Sequence, residues 1–254
     1  MLQSYLFVMG IVVGSFLNVV IDRLSLNKSL LGRSHCDHCR KTLQPMDLVP
    51  VLSFLVLRGR CRSCGHRLSI QYPIIELITG ILFVSIWSYF ELMGPFVQVS
   101  MIGVFCSLLV LLMSDLKYRI LADEVQIALF LSVTAYHLST GSDFTELARF
   151  GVDGFIVLAP LLLIFILSRG KGMGFGDVKL AFIIGYWFGF VGGLTTLYLS
   201  FVSGGILGII LLALRRARLK QAIAFGPFLI VSMIVFFVFK GPITVYLNTI
   251  FGLK

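Results

Sequence analysis

Charge is what this sequence has least of. Only 13% of its 254 residues are Asp, Glu, Lys or Arg, while 58% are apolar and the mean hydropathy is +0.99. Soluble domains carry roughly twice that charged fraction, and a water-exposed globule of this length cannot hide so much apolar surface. An ordinary soluble fold is therefore excluded, and the bilayer is the expected solvent. The same composition excludes a disordered chain. Tryptophan is scarce as well, with 2 residues against 23 Phe, in keeping with a lipid-facing interior. Basic residues are absent from Met1-Leu2-Gln3-Ser4-Tyr5. The apolar run that follows is too long for a cleaved signal peptide and ends in Ile21-Asp22-Arg23, so it is expected to persist as a helix.

Apolar stretches able to cross about 30 Å of hydrocarbon lie near residues 2–21, 73–93, 96–114, 124–141, 150–168 and 194–214, with shorter ones at 178–191 and 225–239. The expectation is an all-α, polytopic membrane bundle of about eight helices. It is organised as a first transmembrane helix (1–21), a cytoplasmic loop domain (22–72) and a transmembrane core (73–254). These spans sort the 21 Lys and Arg into two groups: 18 fall in 22–72, 115–123, 169–179 and 215–220, and the other side receives only Arg149, Lys240 and Lys254. The positive-inside rule places the four basic loops in the cytoplasm and both termini outside. The net charge of +9 then reports topology, and it can also meet anionic headgroups; nothing in the pattern calls for nucleic acid.

Residues 22–72 contain Cys36-Asp37-His38-Cys39, an interval of 21 residues, and Cys61-Arg62-Ser63-Cys64. Two C-x2-C pairs present four thiolates from two tight turns, which is the donor set of a tetrahedral zinc site, and Gly65 suits a turn with positive φ. A reducing cytoplasm disfavours the alternative of two disulfides. Four Cys ligands leave no open position, so the metal is expected to be structural and to organise a loop too short to bury a core. His35, His38 and His66 are read as solvated loop residues, and Cys106, in mid-span, as a small apolar side chain.

Ionisable groups at a membrane are costly, which singles out two acids expected at the cytoplasmic face. Asp115 closes the third span in Met113-Ser114-Asp115-Leu116-Lys117, and Asp177 follows Gly170-Lys171-Gly172-Met173-Gly174-Phe175-Gly176. Each alone has a plain structural reading: Asp177 as a helix N-cap, Asp115 as an interfacial partner of Lys117 or Arg119. Together they can share a proton, one carboxylate activating a water while the neutral partner polarises a scissile carbonyl, which is aspartyl protease chemistry. The four alternating glycines before Asp177 allow unusual dihedrals and close approach of an extended peptide. A phosphate-binding loop fails because no Gly-Lys-Ser/Thr closes the run. Asp123 is the alternative partner. Glu91, Asp143, Glu146 and Asp153 fall on the outer side, and Glu76 reads as an acid in the first turn of a helix that has Pro73 near its start.

In combination these residues resemble the bacterial type IV prepilin peptidases, membrane aspartyl proteases with a Gly-x-Gly-Asp motif. The resemblance rests on Gly14-Ser15-Phe16-Leu17-Asn18, the two cysteine pairs, Pro50-Val51-Leu52-Ser53, Leu57-Arg58-Gly59-Arg60-Cys61, Tyr72-Pro73-Ile74-Ile75-Glu76, Gly174-Phe175-Gly176-Asp177-Val178-Lys179-Leu180 and Phe225-Gly226-Pro227-Phe228. One departure is Leu121-Ala122-Asp123 where the family usually has Leu-Pro-Asp. The resemblance implies that Asp115 and Asp177 are the catalytic acids and that the site faces the cytoplasm from the inner membrane. It implies that prepilins and pseudopilins are the substrates, cut just before their apolar helix. It also implies that S-adenosylmethionine is the donor for a following N-methylation. Gly59 and Glu76 are, by resemblance only, candidates for contributing to the methyl-donor site; no strand–loop–helix nucleotide motif is present. Asp22, Asp47 and Glu76 are candidates for docking a basic leader. The reading from a different class is a transporter or ion pathway with paired intramembrane acids, against which stands the lack of any repeat of either Asp motif.

Overall fold

The computed structural model describes residues 1–214, 224–243 and 249. Its α-helices are α1 (Leu2–Leu24), α2 (Leu52–Val56), α3 (Gln71–Tyr89), α4 (Pro95–Tyr118), α5 (Asp123–Ser139), α6 (Phe144–Leu167), α7 (Phe175–Ala213) and α8 (Gly226–Val238), with short 3-10 turns at Pro45–Leu48 and Glu91–Met93. Among the described residues no strand forms beyond two isolated bridges. Five helices, α1, α3, α4, α6 and α7, are long and apolar enough to cross a membrane. The chain divides into two compact units, Met1–Val110 and Leu111–Lys254.

In the first unit α1 packs on α3 through small residues. A Cβ at Gly10 would stand 2.7 Å from the Cα of Gly80, and one at Gly14 would stand 2.7 Å from the Cα of Glu76. The backbones meet with no side chain between them, which is how helices gain contact in lipid where no hydrophobic force drives them together. Asn18, one turn further on, donates to the carbonyls of Gly14 (3.3 Å) and Tyr72 (3.1 Å) and so ties the two helices at one end. Beyond α1 the guanidinium of Arg23 donates to the carbonyls of Ser29, Leu30, Gly32 and Arg33, gathering the start of the loop around one side chain.

The middle of that loop returns to α3. Val51, a β-branched residue at φ 60°, donates its amide to Oε2 of the buried Glu76 over 2.7 Å. Backbone strain of this kind costs about 1–3 kcal/mol, and a hydrogen bond to a charged group returns about 1.5–3 kcal/mol, so the two are of one size. Glu76 therefore belongs to the second turn of α3 and holds the loop, rather than serving as a first-turn acid of its own helix.

In the second unit the expected spans at 178–191 and 194–214 appear as one 39-residue element, α7, interrupted at Gly189 (φ 71°, ψ −177°). A straight helix of that length would run about 58 Å, nearly twice the hydrocarbon thickness. It does not run straight: a Cβ at Gly193 would stand 3.0 Å from the Cα of Gly185, positions that an unbroken helix separates by about 12 Å. The chain doubles back at Gly189, a positive-φ position that favours glycine, and both arms press on α6, where Gly185 meets Gly154 and Gly193 meets Val157. With α7 counted as two arms, the helices α1, α3, α4, α5, α6 and α8 complete the eight expected segments, although α5 (17 residues) and α8 (13 residues) are short. Asp143 caps α6, accepting from the Glu146 amide (2.8 Å) and the Thr145 hydroxyl (2.6 Å); these donors hold its carboxyl below the usual range. The basic residues at 215–220 and Lys254, used in the orientation argument, lie outside the described residues.

Candidate active site

Asp115 occupies the last turn of α4 and Asp177 the first turn of α7. Both are buried, at 5% and 7% exposure, and the two carboxyls are close enough for their charges to interact. Asp177 does not take the plain structural role open to it: the N-cap of α7 is Gly174, leaving Asp177 as the third helical residue. Asp115 lies within the field of the Arg119 guanidinium, and its Oδ2 has no hydrogen-bond partner among the described residues.

Three small elements hold the acids. Gly226, at the start of α8, lies against Asp115 so tightly that a Cβ there would overlap Oδ2. Leu121, in the turn before α5, would meet a Cβ at Gly226 at 3.3 Å and one at Gly176 at 3.0 Å. One leucine therefore spans from the wall of Asp115 to the residue preceding Asp177. Gln126 on α5 donates to the carbonyls of Gly176 (3.3 Å) and Leu121 (3.5 Å), and its buried Oε1 has no partner. Asp115 Oδ2 and Gln126 Oε1 are thus two buried acceptors free to engage a ligand. Gln126 was missed by the sequence reading; its signal was an amide in the first turn of an apolar helix, four residues after Ala122.

The glycine run divides its labour. Gly170 alone has positive φ (73°) and ends α6 with its amide on the Phe165 carbonyl. Gly174 is extended, 3.5 Å from Asp177 Oδ2 by its would-be Cβ, and Gly176 is helical and crowded by Leu121. Among these glycines a positive φ is therefore confined to Gly170, and close packing constrains Gly172, against Ser168, and Gly176. Asp123, the alternative partner, is 62% exposed at its side chain and paired with Lys179 Nζ (2.5 Å), which ties the start of α5 to α7 and occupies the cation nearest Asp177 in sequence. Ala122 takes φ −61°, the angle that proline would impose, so the missing proline leaves the local backbone unchanged.

The four cysteines form a separate centre. Their sulfurs lie within 4.8 Å of one another, with Cys36 and Cys64 3.9 Å apart. That is too far for a disulfide and close to the ~3.8 Å edge of a tetrahedron with Zn–S of about 2.3 Å. The two turns repeat each other. Cys36 N bonds the Lys41 carbonyl as Cys61 N bonds that of His66, Arg40 N bonds Cys36 O as Gly65 N bonds Cys61 O, and Arg40 and Gly65 both have positive φ. Bridges His35–Thr42 and Arg60–Arg67 close each turn. Backbone amides of Cys64 and Ser63 hold the Cys61 thiol down at about 7, whereas at Cys64, against the pull of the His66 amide, burial and the neighbouring thiols push the thiol up to about 11. The donor set fits a four-coordinate metal. His38 and His66 stack on each other at 4.6 Å, exposed, and His35 is likewise outside the cluster.

The remaining expected residues serve the loop. Gly59, at φ 66°, faces the Phe54 ring, and the Glu76 carboxyl is taken by Val51. Asp22 accepts from the Tyr72 hydroxyl and Asp47 pairs with Arg62 at 2.7 Å, so each candidate leader-docking acid has an internal partner.

Fold and site together define a multi-pass helical membrane protein with a buried carboxyl pair at helix ends and a separate four-thiol centre. Residues 8–90 match the model of the bacterial Peptidase A24 N-terminal domain and residues 102–209 that of the type IV leader peptidase family. The chain is 31% identical over 243 residues to a prepilin leader peptidase/N-methyltransferase of Bacillus subtilis, covering 94% of this chain and 95% of that protein. It is also 32% identical over 252 residues to one from Pseudomonas putida (89% and 86%), and 31% identical over 276 residues to one from Aeromonas salmonicida (97% and 94%). No solved structure matches. The chain belongs to the type IV leader peptidase family, and it is a multi-pass bacterial membrane protein.

Proposed function

We propose that this protein is an aspartyl endopeptidase that removes the leader of type IV prepilins and pseudopilins at the cytoplasmic face of the inner membrane, and that it then N-methylates the new amino terminus. The activity follows from the family and from the names its relatives carry. The observation that carries the assignment to residues is the buried pair Asp115 and Asp177, walled by Gly226, Leu121 and Gln126.

In this mechanism one carboxyl is ionised and the other protonated, since like charges held this close do not both ionise readily. The ionised acid takes a proton from water as the water oxygen attacks the scissile carbonyl carbon, and the protonated acid gives its proton to the carbonyl oxygen. The tetrahedral adduct then collapses. Its hydroxyl proton returns to the acid that supplied it, the C–N bond breaks, and the leaving nitrogen takes the proton gained from water. The positive-inside count and the inner-end position of both acids support a cytoplasmic site.

The four cysteines are proposed to hold one structural Zn²⁺ that fastens the loop at residues 22–72, outside the core at 73–254. S-adenosylmethionine is proposed as the methyl donor on the strength of the relatives' names alone. Gly59 and Glu76 are occupied in shaping the loop and present no recognisable cradle for it, so no transfer step is built on them. The test is leader removal from a purified prepilin by Asp115→Asn and Asp177→Asn: both should insert normally and fail to cleave, and cleavage by either would refute the assignment.

A further inference from the structure

Between the cysteine pairs the loop exposes a compact apolar surface. Met46 and Val49 stand 72% and 42% exposed, and Leu52, Leu55 and Val56 of α2 stand 59%, 65% and 69% exposed. The three α2 residues are spaced i, i+3, i+4 and share one face, while Phe54 turns the other way to cover Gly59. Arg58 and Arg60, both exposed, follow immediately, and Arg40, Lys41 and Arg67 add to the basic character of the same loop.

Two further observations set the depth of this surface. The 19 residues of α3 rise only about 28 Å, so nearly the whole helix is needed to cross the ~30 Å of hydrocarbon. Glu76, in its second turn, nevertheless holds the amide of Val51 at 2.7 Å. Even with a carboxyl reaching back toward the surface, Val51 and the start of α2 cannot stand out in the aqueous phase. They are pinned at the level where α1 ends and α3 begins.

We propose that residues 45–57 are an interfacial membrane anchor of the four-cysteine loop. The face of Met46, Val49, Leu52, Leu55 and Val56 enters the headgroup–acyl boundary of the leaflet that receives α1 and α3, and Arg58 and Arg60 contact anionic phospholipid headgroups. The occupant is the bilayer. The patch is carried by a five-residue helix, too short to line a groove for another helix. It is held by Val51 at the level of the second turn of α3, and the basic residues that follow it complement anionic lipid. The inference does not depend on the peptidase reading.

The test uses the full chain with an environment-sensitive, dansyl-bearing amino acid replacing Leu55 or, separately, Leu52, in vesicles of phosphatidylcholine and phosphatidylglycerol containing lipids doxyl-labelled along the acyl chains. The same probe at Ser63, on the second cysteine turn, is the aqueous reference. With no substrate present, the probe at 55 and at 52 should be quenched by doxyl lipid several-fold more than at 63 and be correspondingly shielded from iodide. Raising the phosphatidylglycerol fraction should strengthen the lipid quenching, and the Arg58→Gln/Arg60→Gln variant should lose that dependence. Iodide access equal to that at 63 would overturn the anchor, as would shielding that appears only when a prepilin is added, which would make the substrate helix the occupant. Indifference of the parent chain to phosphatidylglycerol would overturn the headgroup contact.

Discussion

The four-cysteine loop and the carboxyl pair both gather groups that repel or cost energy to bring together, and they do so by opposite means. Each cysteine pair sits on a turn closed by its own backbone bonds, Cys36 to Lys41 and Cys61 to His66, so half of the cluster is built within six residues. The carboxyls have no such local frame. Asp115 and Asp177 end different helices, and their position depends on Leu121, Gln126 and Gly226 arriving from other parts of the chain. A cluster framed locally should tolerate distant changes and fail with its ligand. A site framed by packing should fail when a single small wall residue grows.

The largest effect expected is on the acids themselves. Asp115→Asn and Asp177→Asn should each lower leader cleavage at least ~10³-fold, the upper part of the range for acid–base participation, with helix content by circular dichroism unchanged. Next comes the wall: Gly226→Ala places a methyl onto Asp115 Oδ2 and should reduce cleavage by about 10²-fold, the scale of a small misplacement of a reacting group. Gly176→Ala only crowds the Leu121 side chain at 3.0 Å and should cost less. If Gly226→Ala cleaves normally, the packing-framed half of the comparison is wrong.

On the other side, Cys36→Ser should release the metal, measured as loss of about one zinc per chain, and open residues 22–72 to protease while α6 and α7 stay protected. Unchanged metal content would show that the four sulfurs are not its ligands. In the helix pair, Gly10→Leu would drive a side chain into Gly80 and Thr79 and should destabilise by about 1–3 kcal/mol, read as a lower melting temperature in detergent. The smallest effect is at the α6 cap. Asp143 is held below its ordinary range by Thr145 and Glu146, so its contribution is present above the unfolded carboxylate pKa and fades as pH falls through the folded one. Asp143→Ala should remove that part of the acid sensitivity and little else.

The cysteine centre was legible because ligand type and spacing are written in one short stretch, Cys36 to Cys64. The helices were legible from apolar runs, and Asp115 and Asp177 from their rarity in such surroundings. The reversal at Gly189 was not, because a glycine in an apolar run reads equally as packing or as a turn, and only the meeting of Gly185 with Gly193 decides. Nor was the duty of Glu76, whose partner is a backbone amide 25 residues away and so leaves no mark in side-chain pattern. The alternating glycines before Asp177 suggested unusual dihedrals beside an extended peptide, yet Gly176 is helical and small because Leu121 lies against it. Sequence gives the need for a small residue and withholds which neighbour imposes it.

Whether residues 115 and 177 share one site can be measured without reference to catalysis. In the full chain carrying Cys106→Ser, with the metal bound to shield the other thiols, Asp115→Cys and Asp177→Cys are introduced together and treated with a short bifunctional maleimide in membranes. The account predicts a joined pair of tryptic peptides containing positions 115 and 177 as the main product. Cysteines that react singly, with no joined pair, would contradict it.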